Sequence, residues 1–219
     1  MRPTGVLLDV DGTLIDSNDS HAHAWVDALR EAYVTVEFAV VRRLIGMGGD
    51  KLLPKVAGID AESGQGQAIS KRRDEIFQED YLPKVRPFPA VKELLQRMRQ
   101  EGLELVIASS STDAQLDSLL QIAQAKEFIK AKTSSDDAEN SKPDPDIIHA
   151  ALARLGHSSE KVILLGDTPY DVEAGLKAGV RVVAVRCGGW TDADLGGAAQ
   201  VYDDPQDLLN HFEESPFTK

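Results

Sequence analysis

The chain has 219 residues, of which 42% are hydrophobic and 27% charged, with 17 glycines and 10 prolines, the profile of one large globular domain or of a domain with a modest insertion. Its 24 basic and 36 acidic residues leave a net charge of −12, which argues against nucleic acid or an anionic membrane as partner, since both need clustered positive charge. No stretch approaches the roughly 20 apolar residues of a bilayer span, and the single cysteine, Cys187, excludes an internal disulfide.

The first predicted element is a strand over about 5–10, reached too soon to leave room for a secretory leader. With one cysteine and no disulfide, a reducing, cytoplasmic location is expected. The strand ends in Asp9-Val10-Asp11-Gly12-Thr13. Residues i and i+2 of a strand project from one face, so both carboxylates aim into one spot. Like charges that close repel unless a cation or a titration relieves them. Such a pair is expected to recruit a hard metal, to divide into nucleophile and acid/base, or both. The plainer reading is a strand end with an ordinary Asp-Gly turn. A calcium loop fails on spacing, because Gly12 falls at the fourth position and Ser20 takes the place of the terminal Glu.

A helix follows, with Trp25, Ala28, Leu29, Ala32 and Tyr33 on one face. Further helical segments are expected over about 38–57 and 62–81, broken by Gly46, Gly48-Gly49 and Gly58, with no strand pattern among them. Around Pro83 to Pro89 the character changes. A helix over 89–100 ends at Gly102, and the β-rich run Leu103–Ala108 opens an alternation. Helices are expected over about 112–124, 144–155 and 169–178, with strands over 128–132, 161–166 and 181–185. Strands alternating with helices indicate a parallel sheet with helices on both faces, a Rossmann-like α/β fold. The helical block between the first two strands is too long for one crossover. It reads as an inserted cap over 17–83, the core being 1–16 and 84–219.

In an open parallel sheet, ligands bind outside the carboxyl ends of the strands. Asp9 and Asp11 follow the first strand there, and Ser109-Ser110-Ser111 follow the second. Gly166-Asp167-Thr168-Pro169-Tyr170-Asp171 follows the strand over 161–166, and Lys142 lies in the loop Ser141-Lys142-Pro143-Asp144-Pro145-Asp146. Singly, each has a bland explanation. Serines after a strand commonly cap a helix, Thr168 to Asp171 is a capping box with Pro at the first helical position, and Lys142 could be one more loop lysine. Together they bring an acidic pair, a hydroxyl, a lysine and a second acidic pair to one sheet edge.

This order resembles the haloacid dehalogenase superfamily of phosphotransferases over essentially the whole chain, on Asp9-x-Asp11-x-Thr13, Ser109, Lys142 and Gly166-Asp167-x-x-x-Asp171. The resemblance implies that Asp9 is the nucleophile on phosphorus and Asp11 the general acid and then base. It implies Mg²⁺ held by Asp9, Asp167 and the backbone carbonyl of Asp11, with Asp171 in support. Lys142 would neutralise charge and Ser109 would bind a phosphoryl oxygen, although the register leaves Ser110 open for that role.

The segment 110–141 is too short for a second type of cap, so the cap lies between the first two motifs and acts as a lid. Retaining Asp11 implies phosphate monoester chemistry, because an oxygen leaving group needs a proton. His21 in His-x-x-Ala-Trp resembles the cap histidine of β-phosphoglucomutase, or is a polar contact in the first helical turn. The segment 45–51, with Gly48 and Lys51, is the expected substrate-reading loop and lacks the arginine of that mutase. Its Met47-Gly48-x-x-Lys51 is only faintly similar to phosphonoacetaldehyde hydrolase, which lacks an acid where Asp11 stands. The expected activity is a Mg²⁺-dependent phosphatase for a small phosphorylated metabolite, similar to phosphoglycolate and sugar-phosphate phosphatases. The alternatives are a phosphosugar mutase and, more remotely, a non-catalytic phosphate-binding protein. The sequence leaves the oligomeric state open, a monomer included.

Overall fold

A computed structural model describes residues 2–219. The chain divides into two compact units, Met1–Asp16 with Arg86–Lys219, and Ser17–Val85.

The first unit is built on strands β1 (Gly5–Leu8), β4 (Glu104–Ala108), β5 (Ile129–Thr133), β6 (Val162–Gly166), β7 (Arg181–Val185) and β8 (Gln200–Tyr202). They form one parallel sheet in the order β5-β4-β1-β6-β7-β8. Every residue of β1 and of β6 is buried. Their unbroken apolar runs are what a parallel strand covered on both faces requires. Leu8 stands level with Ile107 on one side and Leu165 on the other, so β1, β4 and β6 end together. From β1 the chain builds outward through β4 and β5, then returns to β6 and builds the other way. The β1/β6 junction is therefore the topological switch point, where open α/β sheets bind ligands.

Helices α5 (Val91–Gln100), α6 (Asp113–Ile122), α7 (Asp146–Leu155), α8 (Pro169–Lys177) and α9 (Pro205–Asn210) complete this unit. On one face of the sheet, Leu7, Val106, Leu164 and Val182 pack against Ile147, Ile148, Ala151 and Leu155 of α7 and Val172 and Ala174 of α8. Each such buried valine, leucine or isoleucine side chain contributes roughly 1.5–3 kcal/mol. Helix α7 stops at Gly156, whose φ of 80° is the left-handed conformation that favours glycine at a helix end.

The alternation of strands and helices expected from the sequence is present. β8 and α9 are additions, as is a two-residue ribbon pairing β2 (Ile15–Asp16) with β3 (Arg86–Pro87). Elements this short carry no readable period.

The second unit is helical, with α1 (Asn18–Glu31), α2 (Phe38–Arg42), α3 (Gly49–Ala57) and α4 (Gly64–Ile76). The helical segment expected over 38–57 is broken where the glycines were expected to break it, because Gly46 adopts a φ of 109° and Gly48 caps α3 in an extended conformation. Helix α4 widens into a π-helical turn over Phe77–Tyr81. Trp25, Ala28 and Leu29 are buried as expected, but Tyr33 is 98% exposed. α1 ends at Glu31, and the chain then turns left-handed, at a φ of 61° for Tyr33, which swings that side chain off the helix face. Among the described residues, no helix is long and apolar enough to cross a membrane.

Candidate active site

β1 delivers Asp9 to the switch point, where its N–H donates to Leu165 O at 2.9 Å. The chain then turns at Gly12, with a φ of 82°, and Gly12 N–H closes the turn on Ile15 O. The turn folds Thr13 back, so its buried hydroxyl lies 3.2 Å from Asp9 Oδ2 and 3.0 Å from Asp167 Oδ1. Thr13 therefore links the carboxylates at the ends of β1 and β6.

Lys142 enters from the loop before α7 and is fully buried. Its Nζ donates to Asp9 Oδ1 at 2.6 Å and to Ala108 O at 2.8 Å, and it stands 2.7 Å from Asp171 Oδ1. That last contact is close in charge but poorly aimed as a hydrogen bond. The other oxygen of Asp171 serves α8, accepting from Thr168 N–H at 3.0 Å and Thr168 Oγ1 at 2.6 Å. Asp171 is thus both a helix cap and an anchor for the lysine.

Oxygens of Asp9, Asp167 and Asp171 lie within 4.8 Å of one another, all three residues buried. Among the described residues, Lys142 is the one buried lysine or arginine. Burial pushes Asp9 up to about 7, against the pull of Lys142, and Asp171 and Asp11 add to the rise. Desolvation alone would lower Lys142, but Asp171 and Asp9 overcome it and hold its ammonium above the ordinary value. Three buried carboxylates facing one ammonium leave negative charge that a further cation would relieve. An all-oxygen donor set suits a hard divalent ion.

Two glycines make room for this packing. A Cβ on Gly188, in the loop after β7, would fall 1.7 Å from Asp167 Oδ2. One on Gly166 would fall 2.6 Å from Asp171 Cγ.

The serines after β4 do not cap α6, whose N-cap is Thr112 without a side-chain hydrogen bond. Ser109 is buried, and its Oγ accepts Ser111 N–H at 3.1 Å. Ser110 Oγ is buried with no hydrogen-bond partner. Ser111 Oγ donates to Asp11 Oδ2 at 2.7 Å.

Asp9, Asp11, Thr13, Ser109, Lys142, Asp167 and Asp171 therefore all sit at the carboxyl edge of one sheet. The carboxylate of Asp11 is taken by Ser111 and is outside the three-carboxylate group. A family model described as haloacid dehalogenase-like hydrolase matches residues 6–185. The chain belongs to this family.

Among its relatives in the family, an N-acetylmuramic acid 6-phosphate phosphatase of Pseudomonas aeruginosa is 27% identical over 215 residues, covering 96% of this chain and 95% of that protein. A phosphoglycolate phosphatase of Caulobacter vibrioides is 27% identical, covering 84% and 79%. A solved structure described as a putative β-phosphoglucomutase from Bacteroides vulgatus superposes with a TM-score of 0.88 at 25% identity, covering 100% of this chain and 91% of that one. The names of both relatives agree with the expected phosphoester hydrolase.

The cap residues singled out in the sequence belong to the second unit. His21 is buried and stacks on Phe77, ring centroids 3.9 Å apart and planes 9° from parallel. Gly48 accepts Lys51 N–H at 3.1 Å in the first turn of α3. The sequence reading gives no role to Ser111 or to Gly166, though both stand in the segments it singles out, and it misses Gly188. A signal existed for Gly188, since the Gly188-Gly189 pair follows β7 at the same edge as the motifs.

Proposed function

We propose that the chain is a Mg²⁺-dependent phosphatase that hydrolyses a small phosphorylated metabolite, of the phosphoglycolate or sugar-phosphate kind, through a phosphoaspartate on Asp9. The observation that carries this reading is the buried Lys142 held between Asp9 and Asp171 beside a third carboxylate, Asp167. That arrangement keeps a nucleophilic carboxylate oriented and places positive charge where a phosphate would arrive. Asp9, Asp167 and the Asp11 carbonyl would hold Mg²⁺, which when bound supplies positive charge between the carboxylates and the phosphoryl oxygens.

Asp9 attacks phosphorus, so its O–P bond forms as the ester P–O bond breaks, and Asp11 gives its proton to the leaving oxygen. Water then attacks the phosphoaspartate and returns a proton to Asp11, and orthophosphate leaves with Asp9 restored. Ser109 donates to a phosphoryl oxygen. Its oxygen already accepts Ser111 N–H, so its own hydrogen is the one it can give. Thr13 and Asp171 act by orientation, one on the two carboxylates and the other on Lys142. His21, Gly48 and Lys51 read the rest of the substrate from the cap. The enzyme is placed in the cytoplasm, where its single thiol stays reduced.

The test is phosphate release from phosphoglycolate, sugar phosphates and nucleotides, with Mg²⁺ and with chelator. Release is expected with Mg²⁺ alone, and Asp9→Asn should lower it by about 10⁴-fold or more with an unchanged circular dichroism spectrum. Undiminished turnover in that variant would sink the mechanism. A mutase reading has the whole-chain likeness to the putative β-phosphoglucomutase behind it. It would replace hydrolysis if a bisphosphate-primed enzyme interconverted glucose phosphates while releasing little orthophosphate.

A further inference from the structure

Ser111 lies outside the motif residues, yet its side chain contacts the carboxylate of Asp11 directly. Its hydroxyl donates to Asp11 Oδ2 at 2.7 Å. The backbone on both sides of that hydroxyl is pinned. Ser111 N–H donates to Ser109 Oγ at 3.1 Å, and Ser111 C=O accepts Ser135 N–H at 3.0 Å. Ser109 N–H in turn donates to Thr133 O at the end of β5. Ser111 is therefore fixed by the ends of two strands, while Asp11 stands on the turn that follows a third.

We infer that Ser111 is a positioning residue for Asp11 that holds its carboxyl group in the orientation from which it delivers the proton. This rests on the phosphomonoester hydrolysis proposed above. The contact ties Oδ2 of Asp11 to a hydroxyl whose backbone is held on both sides. It therefore fixes the rotation of the carboxyl group. When Asp9 Oδ bonds to phosphorus and the ester P–O bond breaks, the acid hydrogen of Asp11 passes to the leaving oxygen. The alcohol departs, and Asp11 is left as a carboxylate still held by Ser111. In the second step water bonds to phosphorus, the Asp9 O–P bond breaks, and a proton of that water returns to the Asp11 carboxylate.

The contribution appears only when the leaving group needs a proton. An alkyl phosphate does, whereas p-nitrophenyl phosphate expels a stable phenolate without one. The value of kcat/KM reports steps up to formation of the phosphoaspartate, so it isolates the acid role from the later base role. Wild type, Ser111→Ala and Ser111→Thr are compared on a small alkyl phosphate and on p-nitrophenyl phosphate. In Ser111→Ala the ratio of alkyl to aryl kcat/KM is expected to fall about tenfold, a fraction of what general acid catalysis contributes. Ser111→Thr keeps the hydroxyl and should recover the ratio to within about threefold of wild type.

An equal loss on both esters, or an unchanged ratio, in an enzyme whose wild type is active would overturn the role of Ser111 and leave the phosphatase reading intact. No phosphate release from either ester by wild type would overturn both. Failure of Ser111→Thr to recover the ratio would also overturn the inference, since bulk and not the hydroxyl would then decide it.

Discussion

At Gly188 the main chain passes so close to Asp167 that one methyl group would occupy the place of its carboxylate oxygen, 1.7 Å away. A side chain there must displace either the loop after β7 or the carboxylate itself. Gly188→Ala is therefore expected to raise the Mg²⁺ concentration for half-maximal activity by about tenfold or more, in line with the cost of disturbing groups that orient a metal ligand. A Mg²⁺ titration of turnover, with circular dichroism to confirm folding, measures this, and an unchanged half-saturation point would deny the contact any importance. Lys142 presents the opposite problem, a charge removed and not a volume added. Lys142→Met preserves most of the buried stem but leaves Asp9 and Asp171 facing each other without their ammonium. Losing one partner of a buried ion pair costs about 3–5 kcal/mol, and urea denaturation of the metal-free protein should show a loss of that size.

Among the elements, α5 begins under strain. Ala90, its N-cap, has a φ of 59°, a region that costs an L-residue about 1–2 kcal/mol. Ala90→Gly should stabilise the protein by about 1 kcal/mol, after part of the gain is lost to glycine's greater freedom when unfolded. For a chain of this length that is a rise of about 2–4 °C in Tm, readable in a thermal melt, and a fall would mean that the alanine methyl packs usefully. The same local physics explains which elements were legible in the sequence. β1 and β6 announce themselves because strands buried on both faces must be continuously apolar. α8 does so through its capping box, in which Thr168 and Asp171 satisfy each other's backbone N–H groups. β8, with three residues, is shorter than any readable period, and Tyr33 has helical spacing but lies beyond the last helical turn. The site divides in the same way. Asp9, Lys142, Asp167 and Asp171 stand out as charges at strand ends, where charge needs a reason. Three adjacent serines are chemically alike, and only their separate partners show that Ser109 faces Ser111 N–H and Ser111 faces Asp11.

In the whole molecule, the sheet order gathers residues as distant in sequence as Asp9 and Asp167 at one switch point, and so concentrates like charge inside a protein that is already acidic. Folding without a cation thus works against itself at this place, and the pH dependence follows from the sign of one shift. Burial raises Asp9 from an ordinary 3.8 to about 7. Between those values the unfolded chain has released this proton and the folded chain retains it, so the metal-free fold loses stability from this group as pH rises from about 4 to about 7. A divalent ion needs the ionised carboxylate, so below pH 7 it competes with the proton, and above pH 7 it meets a carboxylate already bare. Mg²⁺ should then bind more tightly at pH 8 than at pH 6, by up to about tenfold for the part of that interval below 7. Because ligand binding to the folded state stabilises it by RT ln(1 + [L]/Kd), the Tm difference between millimolar Mg²⁺ and chelator should be larger at pH 8. Asp167→Asn, which keeps the shape of the site but removes a charged ligand, should shrink that difference at both pH values. A Mg²⁺-induced shift equal at pH 6 and pH 8 would mean that the proton on Asp9 and the metal do not compete, and that the ion is held elsewhere than among these carboxylates.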